Sequence, residues 1–194
     1  MRTDSLKLIE EVISNFAKLS SIEISDESIY LEFIDVELGV PKSSEDLSLS
    51  MRFAKNSFIS FFYDNIWDID FLSKFSYKNH YLHEDLILEV RKIKFLDFEY
   101  LNTFFHNYSH YKNFVDDKDF DVHNIRCDFF CLIELGNIAI VVGGNQMDFF
   151  TPYERLDDDI LKELSNQWMM YYLEYHQKRN ILKDPMCENH PFNK

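Results

Sequence analysis

Glycine, proline and cysteine are all scarce in this chain, which has 4 Gly, 4 Pro and 3 Cys among its 194 residues. With so few glycines, no Gly-rich loop that could cradle phosphate groups is present, and a sandwich punctuated by Gly and Pro is not expected. The cysteines, Cys127, Cys131 and Cys187, form no CxxC pair, and their odd number suits a reducing compartment. We therefore expect a cytoplasmic protein that folds without disulfides.

Basic residues and long apolar runs are also lacking. Only 20 Lys and Arg stand against 34 Asp and Glu, so the net charge is -14. Because affinity for phosphates comes mainly from Lys and Arg, this balance argues against nucleic-acid binding. No apolar run approaches the roughly 18 residues of a membrane span, and charged residues interrupt the N-terminal segment where a signal peptide would need an apolar core. We expect a soluble protein without membrane contact, whose acidic surface favours a basic protein partner.

Aromatic residues are abundant, with 19 Phe and 11 Tyr, and apolar residues make up 46% of the chain against 28% charged. This composition is typical of a globular protein and not of a disordered acidic tail. A chain of this length can bury about 70% of its extended surface on folding. No linker divides it, so we predict one domain over residues 1–194, with a flexible tail at 183–194.

Apolar residues recur at helical spacing in three segments, 5–19, 97–115 and 157–180. The first predicts an N-terminal helix capped by Asp4 or Ser5. The second predicts a central helix that begins at Asp97. The third predicts a long C-terminal helix, with aspartates at its positive end and basic residues near its negative end.

Segments rich in Ile, Val, Phe and Tyr lie between these helices and predict strands at 22–24, 29–38, 47–53, 57–63, 85–95, 125–135 and 138–142. The first two strands form a hairpin. Lys55-Asn56 is interpreted as a turn, Gly136-Asn137 as a tight turn, and Gly143-Gly144 as the end of the last strand. Strands joined by short turns are antiparallel, so the predicted class is α+β, with a mainly antiparallel sheet and helices at the N-terminus, centre and C-terminus.

Two histidines suggest a possible metal site. His106 and His110 stand four apart on the predicted central helix and project to one side, and His123 is the candidate third ligand. However, Asn107 follows the first histidine, where a metalloprotease has its general-base Glu. A partly exposed pair beside the aromatic stripe explains these residues without a metal. We therefore predict no cofactor and keep a metal-dependent hydrolase as an alternative.

Asp117, Asp119 and Asp121 alternate like the start of a calcium-binding loop. The sixth position is Val122, where such a loop requires Gly, and the twelfth is Asp128, where a bidentate Glu is usual. A solvated acidic loop accounts for this pattern better than a calcium site does.

A second metal alternative is a nuclease. Asp70 and the sequence Glu89-Val90-Arg91 are similar to the carboxylates and basic residue that hold Mg²⁺ and polarise a phosphate. A nuclease would need a basic surface to attract its substrate, and only the local segment 74–94 is net basic. Alternating charge that protects an exposed edge strand also explains the pattern. No motif for nucleophilic catalysis occurs, so we expect a protein that is not an enzyme.

The acids concentrate in segment 23–46, with eight acids against one Lys, and in segment 116–159, with eleven acids against three bases. Carboxylates of this kind can steer a basic partner, while exposed aromatic rings anchor it. The alternative is an ordinary solvated surface that keeps the protein in solution. The partner-binding residues that we predict are Glu32, Asp35, Glu37, Asp116, Asp117, Asp119, Asp121, Asp157 and Asp158.

Three functions remain in consideration. The compact, acidic chain without a catalytic motif is similar in type to immunity proteins, or antitoxins, which neutralise a basic toxin by stoichiometric binding. The predicted order of elements is similar to that of class I type III secretion chaperones, which are small acidic homodimers arranged as helix, three strands, helix, two strands, helix. The third function is the metal-dependent hydrolase or nuclease. Of these we favour the acidic inhibitor, as either a monomer or a homodimer.

Overall fold

The computed structural model describes residues 3–39, 48–63, 88–96, 112–113, 127–136 and 138–182. Within these ranges the helices are α1 (Thr3–Phe16) and α2 (Asp158–Leu182). The strands are β1 (Lys18–Ile24), β2 (Ser28–Ile34), β3 (Leu49–Ala54), β4 (Phe58–Tyr63), β5 (Leu88–Glu89), β6 (Lys92–Leu96), β7 (Lys112–Asn113), β8 (Phe129–Leu135), β9 (Ile138–Gly144), β10 (Gln146–Phe150) and β11 (Arg155–Leu156). The predicted α+β class is confirmed. Neither of these two helices is long and apolar enough to cross a membrane.

The strands form two antiparallel sheets. The first sheet has the order β11-β10-β3-β2-β1-β5, and the second has the order β6-β8-β9-β4-β7. The predicted hairpin is confirmed, because β1 pairs with β2 through the turn at 25–27. The pair β8 and β9 is confirmed as well, with Leu135 opposite Ile138 at the turn.

A bent two-stranded ribbon links the two sheets. One half of the ribbon runs from β3 into β4, and the other half runs from β9 into β10. The two halves pair in both sheets, because β10 pairs with β3 in the first sheet and β9 pairs with β4 in the second. Lys55 and Asn56, both at φ 58°, therefore bend the chain from one sheet into the other and do not close a hairpin between β3 and β4. The predicted change of direction at Lys55-Asn56 is confirmed, but the two strands that it joins lie in different sheets.

The prediction that Gly143-Gly144 ends a strand is confirmed, because β9 ends at Gly144. The chain bends at Asn145 and then forms β10, a strand that the sequence did not predict, and neither did it predict β11. A Cβ on Gly144 would lie 2.8 Å from the carbonyl oxygen of Ala54, and one on Gly143 would lie 2.9 Å from that of Phe129. The glycines therefore allow two backbones to approach closely at the bend.

The core contains alternate residues of strands in the first sheet and every residue of the central strand β9 in the second. In β2, Ile29, Leu31 and Phe33 are buried while the residues between them are more exposed. All of β9 is buried. Helix α1 adds Ile9 and Ile13 to the same core cluster. Burying side chains of this size stabilises the fold by roughly 1.5–3 kcal/mol each.

Helix α1 also protects the edge of β6. The Glu10 carboxylate accepts a 2.6 Å hydrogen bond from the backbone N–H of Phe95, and the Ser14 hydroxyl accepts a 3.3 Å bond from that of Ile93. These bonds satisfy donors that would otherwise offer a pairing edge. The predicted cap was wrong, because Asp4 and the buried Ser5 lie inside the helix.

Two further element predictions need correction. The predicted central helix at 97–115 lies outside the described residues except for Lys112–Asn113, which pair with β4 as a short strand and not as a helix end. The predicted strand at 85–95 is divided at the buried Val90, because β5 pairs with β1 and β6 pairs with β8. The strands described thus outnumber those of the secretion-chaperone arrangement, and the order of elements departs from it. The predicted tail at 183–194 lies outside the described residues.

Candidate functional site

The aspartates at the start of α2 stabilise the N-terminus of this helix. The Asp157 carboxylate accepts hydrogen bonds from the backbone N–H groups of Asp159, at 2.9 Å, and Ile160, at 2.8 Å. Asp157 is therefore the N-cap, and Asp158 and Asp159 occupy the first turn, where the helix dipole favours negative charge. Asp157 and Asp159 are exposed and Asp158 is half-buried.

The loop after β2 carries two of the other predicted residues. Asp35, at φ 58°, accepts a 2.7 Å bond from the Lys18 ammonium, and this bond raises the pKa of Lys18. Glu37 is half-buried, and this burial raises its pKa. Glu32 instead lies exposed on β2, where it accepts a 3.1 Å bond from the hydroxyl of Ser21.

One backbone contact joins this loop to α2. The N–H of Gly39 donates a 3.1 Å hydrogen bond to the carbonyl oxygen of Leu164. Gly39 adopts φ 75°, and a Cβ there would lie 3.3 Å from a methyl of Leu164, so the approach favours glycine. Acids from the two acid-rich segments therefore lie on elements in direct contact. We call this set the acidic patch; its members are Asp35, Glu37, Asp157, Asp158, Asp159 and Glu163.

A buried carboxylate lies immediately before this region. Asp148 on β10 is only 1% exposed at its side chain. One oxygen accepts from Arg52, at 2.5 Å, and from Gln146, at 2.8 Å, and the other accepts from Arg155. Burial opposes ionisation of Asp148, but the bonds from Gln146 and Arg52 and the charges of both arginines outweigh it, so its pKa lies below the ordinary value.

We call Asp148 with its partners Arg52, Gln146 and Arg155 the Asp148 cluster. Its bonds give it a positioning role. Arg52 lies on β3 and Arg155 on β11, so the carboxylate ties three neighbouring strands together just before α2 begins. The Arg52 guanidinium also lies 5.7 Å from the centre of the Phe150 ring. Sequence reasoning counted Asp148 only as one more acid, because nothing in the pattern links it to Arg52, 96 residues away.

Helix α2 also exposes large apolar side chains further along. Met169 is 57% exposed, Met170 is 59% and Leu173 is 46%. We call these three residues the apolar patch. The predicted aromatic stripe of the same helix, including Trp168 and Tyr171, is only half-buried, whereas Leu161 is fully buried.

Most of the residues predicted for metal chemistry, and four of the predicted partner-binding acids, are not among the described residues. His106, His110, His123 and Asp70 fall outside the described residues, and so do Asp116, Asp117, Asp119 and Asp121. Glu89 is described and lies exposed on β5. Among the residues that the structure describes, no group of three or more His, Cys, Asp or Glu side chains could hold a metal ion.

The two described cysteines are unsuited to nucleophilic chemistry. Cys131 is completely buried, which raises the pKa of its thiol well above the usual value. Burial, with a smaller contribution from Asp128, raises the pKa of Cys127 to about 11. Both thiols are therefore protonated near neutral pH, and the thiol is the unreactive form.

Comparison with known proteins found no matching family model, no significantly similar curated protein and no significantly similar solved structure. The functional proposal therefore rests on the residues of this chain. Three features stand out among those described: the acidic patch, the Asp148 cluster beside it, and the apolar patch on the same helix.

Proposed function

We propose that this chain is a non-catalytic protein-binding module, an immunity-type inhibitor that neutralises a basic toxin or another basic protein by direct, stoichiometric binding. The single observation that supports this proposal most is the Gly39–Leu164 hydrogen bond, which joins the acidic loop after β2 to the acidic start of α2. Two segments that carry acids and lie far apart in the sequence are therefore in direct contact through this bond.

Charge is the physical basis of the proposed recognition. The chain carries a net charge of -14, so a basic protein would be attracted before any contact forms. Once bound, Lys and Arg of the partner would pair with exposed members of the acidic patch such as Asp159 and Glu163. Rim charges of this type act mainly on the association rate and are screened by salt.

The Asp148 cluster supports this proposal by fixing where the acids lie. Arg155 is anchored on Asp148, and the N-cap Asp157 follows two residues later. The start of α2 is therefore held against the first sheet before a partner arrives. A preordered surface loses less conformational entropy on binding, which favours tight inhibition.

The test is binding between the full chain and the basic product of a neighbouring gene. We expect a 1:1 complex whose affinity falls as salt rises. The double variant Asp159→Asn/Glu163→Gln should bind roughly fivefold more weakly, since exposed charge pairs contribute about 0.2–1 kcal/mol each. The matched control is Asp26→Asn/Glu27→Gln, which removes two exposed carboxylates at the tip of the β1–β2 hairpin.

Several results would contradict the proposal. These are the absence of a complex, a complex that salt does not weaken, or equal losses in the two double variants. A homodimer that binds secreted substrates would instead favour the chaperone alternative. Stoichiometric zinc bound by the purified chain, lost in His106→Ala, would favour the hydrolase.

A further inference from the structure

We propose that the apolar patch of α2, Met169, Met170 and Leu173, is the docking surface for an amphipathic, basic segment of the protein partner. This inference rests on the proposed function and specifies the partner chemistry. The segment would carry an apolar stripe flanked by Lys or Arg, as an amphipathic helix does when it lies on a helix face.

The first step of the argument is exposure. Met169, Met170 and Leu173 are each about half exposed, although large apolar side chains usually avoid water. They are spaced by one and three residues, so they form one cluster on a 3.6-residue helix. The same helix buries Leu161 completely, so the cluster lies away from its core-facing side.

The second step is charge. Between residues 159 and 174 the helix carries three acids, Asp159, Glu163 and Glu174, and one base, Lys162. Met170 lies seven residues after Glu163 and four before Glu174, so both carboxylates are on its side of the helix. A shallow groove of about 670 Å³ has Met170, of the apolar patch, in its lining, together with Tyr171, all three acids and Lys162, so acids outnumber bases there. An occupant of opposite charge would therefore gain apolar burial and carboxylate pairing at once.

The same charges disfavour other occupants. A second copy would bring the same excess of acids over bases against this face, on a chain that already carries -14. An anionic lipid surface or a nucleic acid would be repelled in the same way. Methionine suits a partner-binding role because its flexible side chain adapts to different apolar surfaces.

The test uses the full chain and a synthetic helical peptide of about 18 residues, five turns, with leucines on one face and lysines on the other. The control peptide has the same composition in scrambled order, so it keeps the charge but loses the apolar face. Fluorescence anisotropy at about 0.15 M salt measures both affinities. We expect the amphipathic peptide to bind at least about tenfold more tightly than the scrambled one.

The decisive variant is Met169→Ala/Met170→Ala/Leu173→Ala. Alanine has the highest helix propensity, so α2 should persist, which circular dichroism and thermal unfolding would verify. We expect affinity for the amphipathic peptide to fall about tenfold or more. The control Tyr153→Ala removes a side chain that is 75% exposed outside the helix and should leave affinity unchanged.

Several outcomes would overturn the inference: equal binding of the two peptides, equal affinity of wild type and triple variant, or self-association of the wild-type chain that the triple variant abolishes. If a basic protein partner binds the triple variant normally but binds Asp159→Asn/Glu163→Gln more weakly, the docking surface is wrong and the proposed function stands. If no basic protein binds the wild-type chain, the proposed function itself fails.

Discussion

Two groups of carboxylates in this protein differ in what surrounds them. Asp148 is almost fully buried and accepts hydrogen bonds from two arginines and a glutamine. Asp159 and Glu163 are exposed at the start of α2. The buried group holds three strands together, whereas the exposed ones contribute little to stability and are accessible to a partner. Burial therefore separates a structural carboxylate from the carboxylates that we propose bind a partner.

The largest effect on stability is expected at Asp148. Asp148→Ala removes the buried carboxylate that Arg52 and Arg155 share, and breaking a buried ion pair in this way costs about 3 kcal/mol, although Arg52 keeps its bond with Tyr30. Urea denaturation would measure the change in the free energy of unfolding. The matched variant Asp159→Asn should lose less than about 1 kcal/mol, because an exposed carboxylate in the first helical turn interacts mainly with the helix dipole.

If Asp148→Ala and Asp159→Asn lowered the free energy of unfolding equally, the distinction between buried and exposed carboxylates would be wrong. Arg155→Ala offers a second check. Its side chain is 66% exposed and it leaves Arg52 in place on Asp148, so its loss should fall between the other two.

The next effect concerns the bend of the ribbon. Gly144→Ala would place a Cβ 2.8 Å from the carbonyl oxygen of Ala54, and forcing the two backbones apart should cost about 2 kcal/mol. In Gly136→Ala, the nearest side-chain atoms of Arg91 are 3.8 Å away, so only the strain of φ 75° remains, at about 1 kcal/mol. Thermal unfolding should give a lower Tm for Gly144→Ala than for Gly136→Ala. The reverse order would contradict the close approach of Gly144 to Ala54.

The smallest effects are pH dependences of opposite sign. The lowered pKa of Asp148 means that its ionised form stabilises the fold above the ordinary carboxyl pKa of 3.8, and that this stabilisation is lost as the pH falls through the folded-state pKa. The raised pKa of Glu37 means the reverse: stability is present below its ordinary pKa of 4.5 and is lost as the pH rises through the folded-state value.

Unfolding curves between about pH 2 and 7 would separate the two carboxyls. Glu37→Gln should increase stability at pH 7, by less than about 1 kcal/mol because the group is only half-buried, with no gain at low pH. In Asp148→Asn, the free energy of unfolding should fall less steeply as the pH is lowered into the acid range. If Glu37→Gln destabilised the protein at pH 7, the proposed effect of burial on that group would be wrong.

Local patterns in the sequence predicted much of the fold. Segments rich in Ile, Val, Phe and Tyr predicted β2 and β3 as strands, and the polar residues between β1 and β2 predicted their hairpin. The helical spacing after Asp157 predicted α2 and the aspartates at its N-terminal end correctly. These features depend on neighbours a few residues apart, and such patterns are visible in one sequence.

The parts that sequence reasoning missed depend on distant contacts. Gly143-Gly144 was correctly predicted as a strand end, but the close approach of Ala54 and the following strand β10 were not predicted, because Ala54 is far away in the sequence. The Asp148 cluster joins residues from three strands. The apolar patch was missed because the search for exposed anchors considered aromatic rings, whereas two of its three members are methionines. Four predicted partner-binding acids at 116–121 lie outside the described residues and stay predictions.

The central claim is that exposed carboxylates of the acidic patch bind a basic protein. Isothermal titration of the neighbouring basic gene product into wild type, Asp159→Asn/Glu163→Gln and Asp26→Asn/Glu27→Gln, each at low and high salt, tests it most directly. The account predicts 1:1 binding, a roughly fivefold loss confined to the first double variant at low salt, and a smaller difference at high salt. Identical affinities for all three proteins, or no binding by the wild type, would contradict it.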